Sequence, residues 1–318
     1  MKKKEFFALL ARVDLLSAKQ KVRLAAALNE PESCQPQAAA FINEEFSIKP
    51  VCPACSSASV YKWGVVNELQ RYRCKECKRT FNALSGTSMS RLRKKELWLE
   101  YSQTLTDSLS LTKAAERCGI DRTTAFRWRH RFLPLSASQT ARCSGITEMD
   151  ETYFRESFKG KKVVHRKPRK RGDLAVRGLS AEQIPVVVAR DRNGNTCDAV
   201  LRERSAKEVD LRIGAHIAPD SLLCIEKSRI LIKFAKDKGL AFEAIGTKHR
   251  RGREKTFHVQ TVNAYHSRLK NWMVRFHGVA TERLPCYLAW RRLHESHLPS
   301  PQEWLQTIIK GKIHIKRN

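Results

Sequence analysis

The sequence predicts a multidomain protein of mixed class: a small metal-nucleated module, a helix pair, and then one α/β domain. Three observations carry this expectation. Two Cys-x-x-Cys pairs, Cys52-Pro-Ala-Cys55 and Cys74-Lys-Glu-Cys77, lie in the N-terminal part of the chain. The stretch from Leu111 to Phe132 is punctuated as two short helices around a glycine. From Ser144 onward, short β-branched runs alternate with amphipathic helical ones.

Composition narrows the partners. The 318 residues carry 61 Lys and Arg against 32 Asp and Glu, a formal charge of +29. Such a surface binds polyanions, which points to nucleic acid. A hydrophobic fraction of 42% is that of a folded chain. The sequence shows no apolar run long enough to span a bilayer and no lipidation signal. Met1-Lys-Lys-Lys-Glu5 is followed by only a short apolar patch, without a cleavage site, so no membrane partner is expected. The expected location is the cytoplasm, on the nucleoid. There the ten cysteines are not expected to form a disulfide framework.

In chain order, residues 1–47 read as a helical segment. Phe6, Leu9, Leu10, Val22, Leu24 and Leu28 have helical spacing over 5–29, in two helices broken near Ser17. Pro31, Pro36 and Ala38 to Ala40 mark a linker or short helix. Residues 48–85 read as a zinc ribbon. Eighteen residues separate Cys55 from Cys74, a spacing suited to one tetrahedral, structural Zn²⁺ held by Cys52, Cys55, Cys74 and Cys77. Residues 60–64 and 69–73 are the expected hairpin strands. The competing reading, four buried free thiols, leaves the repeated spacing without a role.

Residues 90–133 read as a DNA-binding helical region. An amphipathic helix over 92–107 presents Leu97, Trp98, Tyr101 and Leu105. The pair that follows has helix-turn-helix grammar: Thr112 as first cap, Ala115 at the close approach, Gly119 in the turn and Asp121 as second cap. The second helix offers Arg122, Thr123, Thr124, Arg127 and Arg129, with His130, to base edges and phosphates, while Ala125, Phe126 and Phe132 pack. An ordinary helical hairpin with a solvated basic face is the alternative.

Residues 134–143 form a linker, and 144–298 a second domain. It opens with the stretch 144–154, which reads as a buried strand ending in the acidic pair Asp150 and Glu151. A basic stretch with Lys167, Arg169, Lys170 and Arg171 is expected to track phosphates. Strands follow at 184–190, 196–201, 221–226 and 241–245, with Asp191 to Gly194 as a turn and helices at 206–217, 228–238 and 261–277. Three meandering strands and then helix, strand, helix, strand, helix is the order of a ribonuclease H-like domain. Trp272 and Phe276 belong to its core, and Cys118, Cys143, Cys197, Cys224 and Cys286 show no pairing pattern and read as buried thiols. Residues 299–318 read as a C-terminal tail.

Several motifs resemble a known family. Asp150-Glu-Thr-Tyr-Phe154, Glu156-Ser-Phe-Lys-Gly160, Asn263-Ala-Tyr-His-Ser-Arg-Leu-Lys270 and Tyr287-Leu-Ala-Trp-Arg-Arg-Leu293 look like DDE-type insertion-sequence transposases with an N-terminal zinc ribbon, the ISXO-like group. Arg73 to Asn82 and Thr124 to Phe132 fit the same pattern. The resemblance implies a ribonuclease H-like catalytic core, cleavage at element ends and strand transfer with Mg²⁺ or Mn²⁺. It implies Asp150, Glu226 and Asn263 as metal ligands, and Lys270, two turns beyond Asn263, as a phosphate contact. His258 and His266 are DNA contacts or structural side chains. This chain has Glu226-Lys227 where the family pattern is Asp-Gly, and Asn263 where an acid is usual. The expected function is therefore an insertion-sequence transposase that assembles as a homo-oligomer on double-stranded DNA. The rival readings are a DNA-binding copy without catalysis and a zinc-ribbon regulator.

Overall fold

The computed structural model describes residues 35–134, 140–161, 182–246 and 256–310, with a few isolated positions elsewhere. The helices expected over 5–29 lie essentially outside the described residues, as do Lys167, Arg169, Lys170 and Arg171. The chain divides into two compact units, Met1–Ala83 with Leu92–Glu100, and Leu84–Arg91 with Tyr101–Asn318.

In the first unit, helix α1 (Gln35–Ile48) is longer than the linker or short helix expected there. A three-stranded antiparallel sheet follows, β1 (Val60–Val66), β2 (Leu69–Cys74) and β3 (Thr80–Asn82), in the order β1-β2-β3. Asn43 ties α1 to the β1–β2 turn: its amide donates to the Glu68 carbonyl at 2.7 Å and accepts from the Gln70 N–H at 2.9 Å. Phe46, Tyr72 and Phe81 pack beside Cys52 and Cys74 in a miniature core. So few apolar groups give a small core, which is why units of this size usually need a metal.

The helix expected over 92–107 begins later. Arg91 and Lys94 sit in the left-handed region, at φ 65° and 57°. A 3-10 turn, Lys95–Leu97, then leads into α2 (Trp98–Thr106), on which Trp98, Tyr101 and Leu105 are fully buried.

The second unit holds the helix pair, α3 (Leu111–Arg117) and α4 (Arg122–Phe132). Ser110, not Thr112, caps α3, because its hydroxyl accepts the Lys113 N–H. Gly119 turns at φ 58° and Asp121 caps α4 by accepting the Thr123 N–H at 2.7 Å, both as expected.

A five-stranded sheet forms the rest of the framework: β4 (Ile146–Arg155), β5 (Gln183–Asp191), β6 (Thr196–Val200), β7 (Leu222–Ile225) and β8 (Ala241–Ala244). Its order is β6-β5-β4-β7-β8. The β6–β5–β4 meander is antiparallel, and β7 and β8 run parallel to β4. The tight turn between β5 and β6 is held by Asp191, whose carboxylate accepts the N–H groups of Asn193 and Asn195.

One sheet face is apolar. Met149, Val187, Ala189, Leu223 and Ile225 pack under α5 (Ala206–Ile213) and α6 (Arg229–Asp237). The helix expected over 206–217 changes to a 3-10 turn at Gly214–His216. The other face meets α7 (Gln260–Val274) and α8 (Leu284–Ser296) through a charged layer. Asp198 there accepts from Arg292 and from the Tyr265 hydroxyl, and Glu295 gathers Arg190, Arg268 and Arg291. Such buried ions are tolerable only when paired in this way. Trp272 and Phe276 pack in a ring cluster with Tyr287 and Trp290, as core residues should.

Residues 299–318 are not simply a tail. Pro301–Lys310 forms helix α9, which buries Trp304 and Leu305. The Trp304 indole donates to the Thr106 hydroxyl, which itself donates to the Pro299 carbonyl. The linker expected over 134–143 ends inside the fold, where buried Cys143 bridges to Ile217.

Candidate functional site

Four sulfurs meet at one end of the small sheet. Cys52 and Cys77 approach to 3.6 Å, Cys55 and Cys74 to 3.5 Å, and all four ligand atoms lie within 4.8 Å of one another. A tetrahedron with metal–sulfur bonds of about 2.3 Å has sulfur–sulfur edges of about 3.8 Å. The observed spacings fit that figure. Backbone N–H groups of Cys77 and Glu76 point at Cys74 and hold its thiol down at about 7. Although the Ser57 N–H points at Cys55, desolvation and the other three thiols push it up to about 12. Four thiols crowded this way need a cation before all can ionise. Among the described residues, this is the group in which three or more His, Cys, Asp or Glu side chains bring their ligand atoms close enough to hold one metal.

The carboxylate site lies in the second unit. Strands β4 and β7 pair in parallel, ending at Met149 opposite Ile225. The next residues are Asp150 and Glu226, so the two acids leave the ladder side by side. Strand β4 does not end there, since it continues along β5 to Arg155. Asp150 and Glu151 therefore point to opposite faces of the sheet. Glu151 is engaged by Arg204 at 3.3 Å and by the Ser228 hydroxyl at 3.2 Å. Asp150 faces α7. Both acids, with Glu226, Lys227, Ser228, Arg204 and Arg229, line a cleft of about 510 Å³.

Desolvation, reinforced by the negative charges of Glu226 and Glu151, pushes Asp150 up to about 6. Lys270 opposes the shift. His266 Nδ1 lies 3.8 Å from Asp150 Oδ2. Burial, then Lys270, hold His266 down at about 4, so it meets Asp150 as a neutral ring at neutral pH. Asp150, Glu226 and Lys270 thus come together. Asn263 lies one turn before His266 and two turns before Lys270, so it shares their face of α7. It is exposed near the start of α7, where its N–H donates to the Val259 carbonyl and its own carbonyl accepts from Ser267.

Glu148 was not anticipated. It stands two residues before Asp150, on the same strand face, and is fully buried. Its Oε2 accepts the Val262 N–H at 3.0 Å. Arg192 Nη1 lies 2.6 Å and His258 Nδ1 3.1 Å from Oε1. Helix α7 starts at Val259 without a side-chain cap of its own, so Glu148 caps it from the sheet. The period-two spacing from Asp150 was the available signal.

In α4 the surface is narrower than expected. Arg122, Thr123 and Arg127 are exposed and Thr124 is half-buried, but Arg129 is fully buried. Its guanidinium lies 5.3 Å over Trp290 and 5.7 Å over Phe276, and donates to the Leu109 carbonyl. It supports the helix pair rather than reaching phosphate. Phe126, expected to pack, is 43% exposed. Half-buried His130 is held down at about 4 by desolvation and then by Arg283 and Arg129. No helix among the described residues is long and apolar enough to cross a membrane.

Residues 142–292 match the ISXO2-like transposase domain. An uncharacterized protein in the transposable element ISH50 of Halobacterium salinarum is 26% identical over 267 residues, covering 81% of this chain and 90% of that protein. A pre-cleavage Mos1 transpososome structure aligns with 66% of this chain and 77% of its own, at 11% identity and a TM-score of 0.20, too low to carry an argument. Residues 142–292 are thus similar to the ISXO2-like transposase domain, and most of the chain is similar to a protein carried in a transposable element.

Proposed function

We propose that this chain is an insertion-sequence transposase of the ISXO-like group, which binds the duplex ends of its own element and cuts and joins DNA there with divalent cations. The observation that carries the reading is the in-register exit of Asp150 and Glu226 from adjacent parallel strands into one cleft. The sheet order, three antiparallel strands followed by two parallel ones, supports a ribonuclease H-like core over residues 144–298. Asp150 and Glu226 would hold Mg²⁺ or Mn²⁺, with Asn263 as a neutral third ligand. The raised Asp150 fits this role, because a cation relieves its conflict with Glu226. A divalent cation held by these residues would supply activation of a hydroxyl and neutralisation of charge on the phosphate. Lys270 would contact a phosphate oxygen, and Glu148 would keep α7 in register with β4.

Residues 48–85 would be a ribbon built on Zn²⁺, and the region 90–133 would read element ends. In α4, Arg122, Thr123, Thr124 and Arg127 are the residues for that contact. Arg129 does not belong with them. Joining two ends calls for a homo-oligomer on DNA.

The test is nicking of a labelled duplex carrying the element's own terminal repeat, with Mg²⁺ or Mn²⁺ and Asp150→Ala as control. Metal-dependent nicking that Asp150→Ala abolishes is the expected result. Tight binding without nicking under either metal would favour the second reading, a DNA-binding copy without catalysis. The exposed, uncharged Asn263 is the observation on that side.

A further inference from the structure

We infer that the outer face of the small sheet binds single-stranded DNA by base stacking, an inference that rests on the reading of this chain as one acting on DNA. Every residue of β1 after Val60 is exposed. Tyr61 is 38% and Trp63 44% exposed, although both are large rings that normally seek burial. Tyr61 pairs directly across from Arg73 in the β1–β2 ladder, so the two share a face. The Arg73 guanidinium lies 4.8 Å over the Trp63 ring, which brings that ring to the same face. The two rings meet edge to face at 5.7 Å.

This arrangement is built rather than incidental. The ladder register shifts between Lys62 and Val65, a bulge that takes up one extra residue. Gly64 sits in it at φ 81°, a conformation that favours glycine. Strand alternation alone puts Tyr61 and Trp63 on one face, and the irregularity follows Lys62 without removing Trp63 from that face. Arg71, two residues before Arg73 on the same face, donates to the Thr80 hydroxyl at 3.2 Å. The outer face therefore presents two rings, two guanidinium groups and a hydroxyl. From Val60 to Asn82 the sequence holds six Lys or Arg against two Glu, so the surroundings favour an anion.

Single-stranded DNA fits this chemistry better than a duplex. Rings on a sheet need exposed base faces, and a duplex hides those faces in its own stack. Arg71 and Arg73 would neutralise the phosphates of the same strand, and a protein that opens DNA ends generates such a strand.

The experiment uses the full-length chain and a labelled oligodeoxythymidine of about twelve nucleotides, within the usual site size of such surfaces. Anisotropy is read beside binding to the terminal-repeat duplex. Trp63→Leu, which keeps apolar bulk and removes the π-face, is expected to weaken oligothymidine binding about tenfold. It should leave duplex binding unchanged, and Trp63→Phe should retain most of the affinity. Zinc content and circular dichroism show that the ribbon persists. Tyr61→Leu, on the same face but outside the bulge, gives an independent measurement. Unchanged oligothymidine binding in both variants would overturn the inference, as would equal loss on duplex or tighter binding of single-stranded RNA. Failure of the wild type to bind terminal-repeat duplex counts against the functional reading instead, whatever the oligothymidine result.

Discussion

At the residue scale, the position after Glu226 explains a sequence departure. Lys227 sits at φ 45°, in the left-handed region where glycine is favoured. The resemblance implies a glycine at this place, and the backbone here has the conformation that a glycine would take. The cost of a lysine there is about 1 kcal/mol. Lys227→Gly is therefore expected to raise stability by about that amount, less a few tenths for the freedom of glycine in the unfolded chain. Denaturant unfolding at neutral pH checks it, and an unchanged or lower midpoint would mean the turn is not strained. The same substitution removes a cation from the cleft beside Asp150 and Glu226.

At the scale of elements, strand β4 and helix α7 act as one piece. Glu148 reaches from the strand to the start of the helix, where His258 Nδ1 already accepts the Gln260 N–H; it accepts the Val262 N–H and meets Arg192 and His258. Asp150 lies two residues along the same strand, and Lys270 two turns along the helix. The cap therefore fixes how the two catalytic candidates face each other. Glu148→Ala would leave a buried N–H and a guanidinium without their anion, at a cost of about 3 kcal/mol. Glu148→Gln should cost less, because its amide oxygen can still accept from Val262. Urea unfolding of both variants distinguishes a cap from a bystander, for which the two would be equally mild.

For the whole molecule, the pH dependence of stability follows from its buried rings. His130, His266 and His294 are each held near 4, in every case first by burial. Their unfolded value is about 6.5. The unfolded chain therefore binds more protons between those limits, and stability is lost as pH falls from about 6.5 toward 4. Asp150 opposes this, since its neutral form is favoured in the fold up to about 6. Three rings outweigh one carboxyl, so the unfolding midpoint should fall across that window. His294→Gln, which can still accept from the Trp290 indole, should shrink the drop. A midpoint that is flat from neutral pH to 4 would contradict this account.

Much of the framework was legible because its signals are local. The cysteine spacing, Gly119 and Asp121 in the helix pair, and the alternation of strands and helices after Ser144 all depend on neighbours in sequence. The exit of Asp150 and Glu226 from neighbouring strands is not local, but it follows once strand order is read from element order. Contacts between distant residues were not legible. Arg129 reads as one more base on a basic helix until Trp290 and Phe276 close over it, and Glu148 reads as one acid among several until Val262 arrives above it. Trp304 turns an expected tail into a packed helix only because Thr106 waits for its indole. Local propensity and spacing are written along the chain, whereas burial and long-range hydrogen bonding exist only after the chain has folded back on itself.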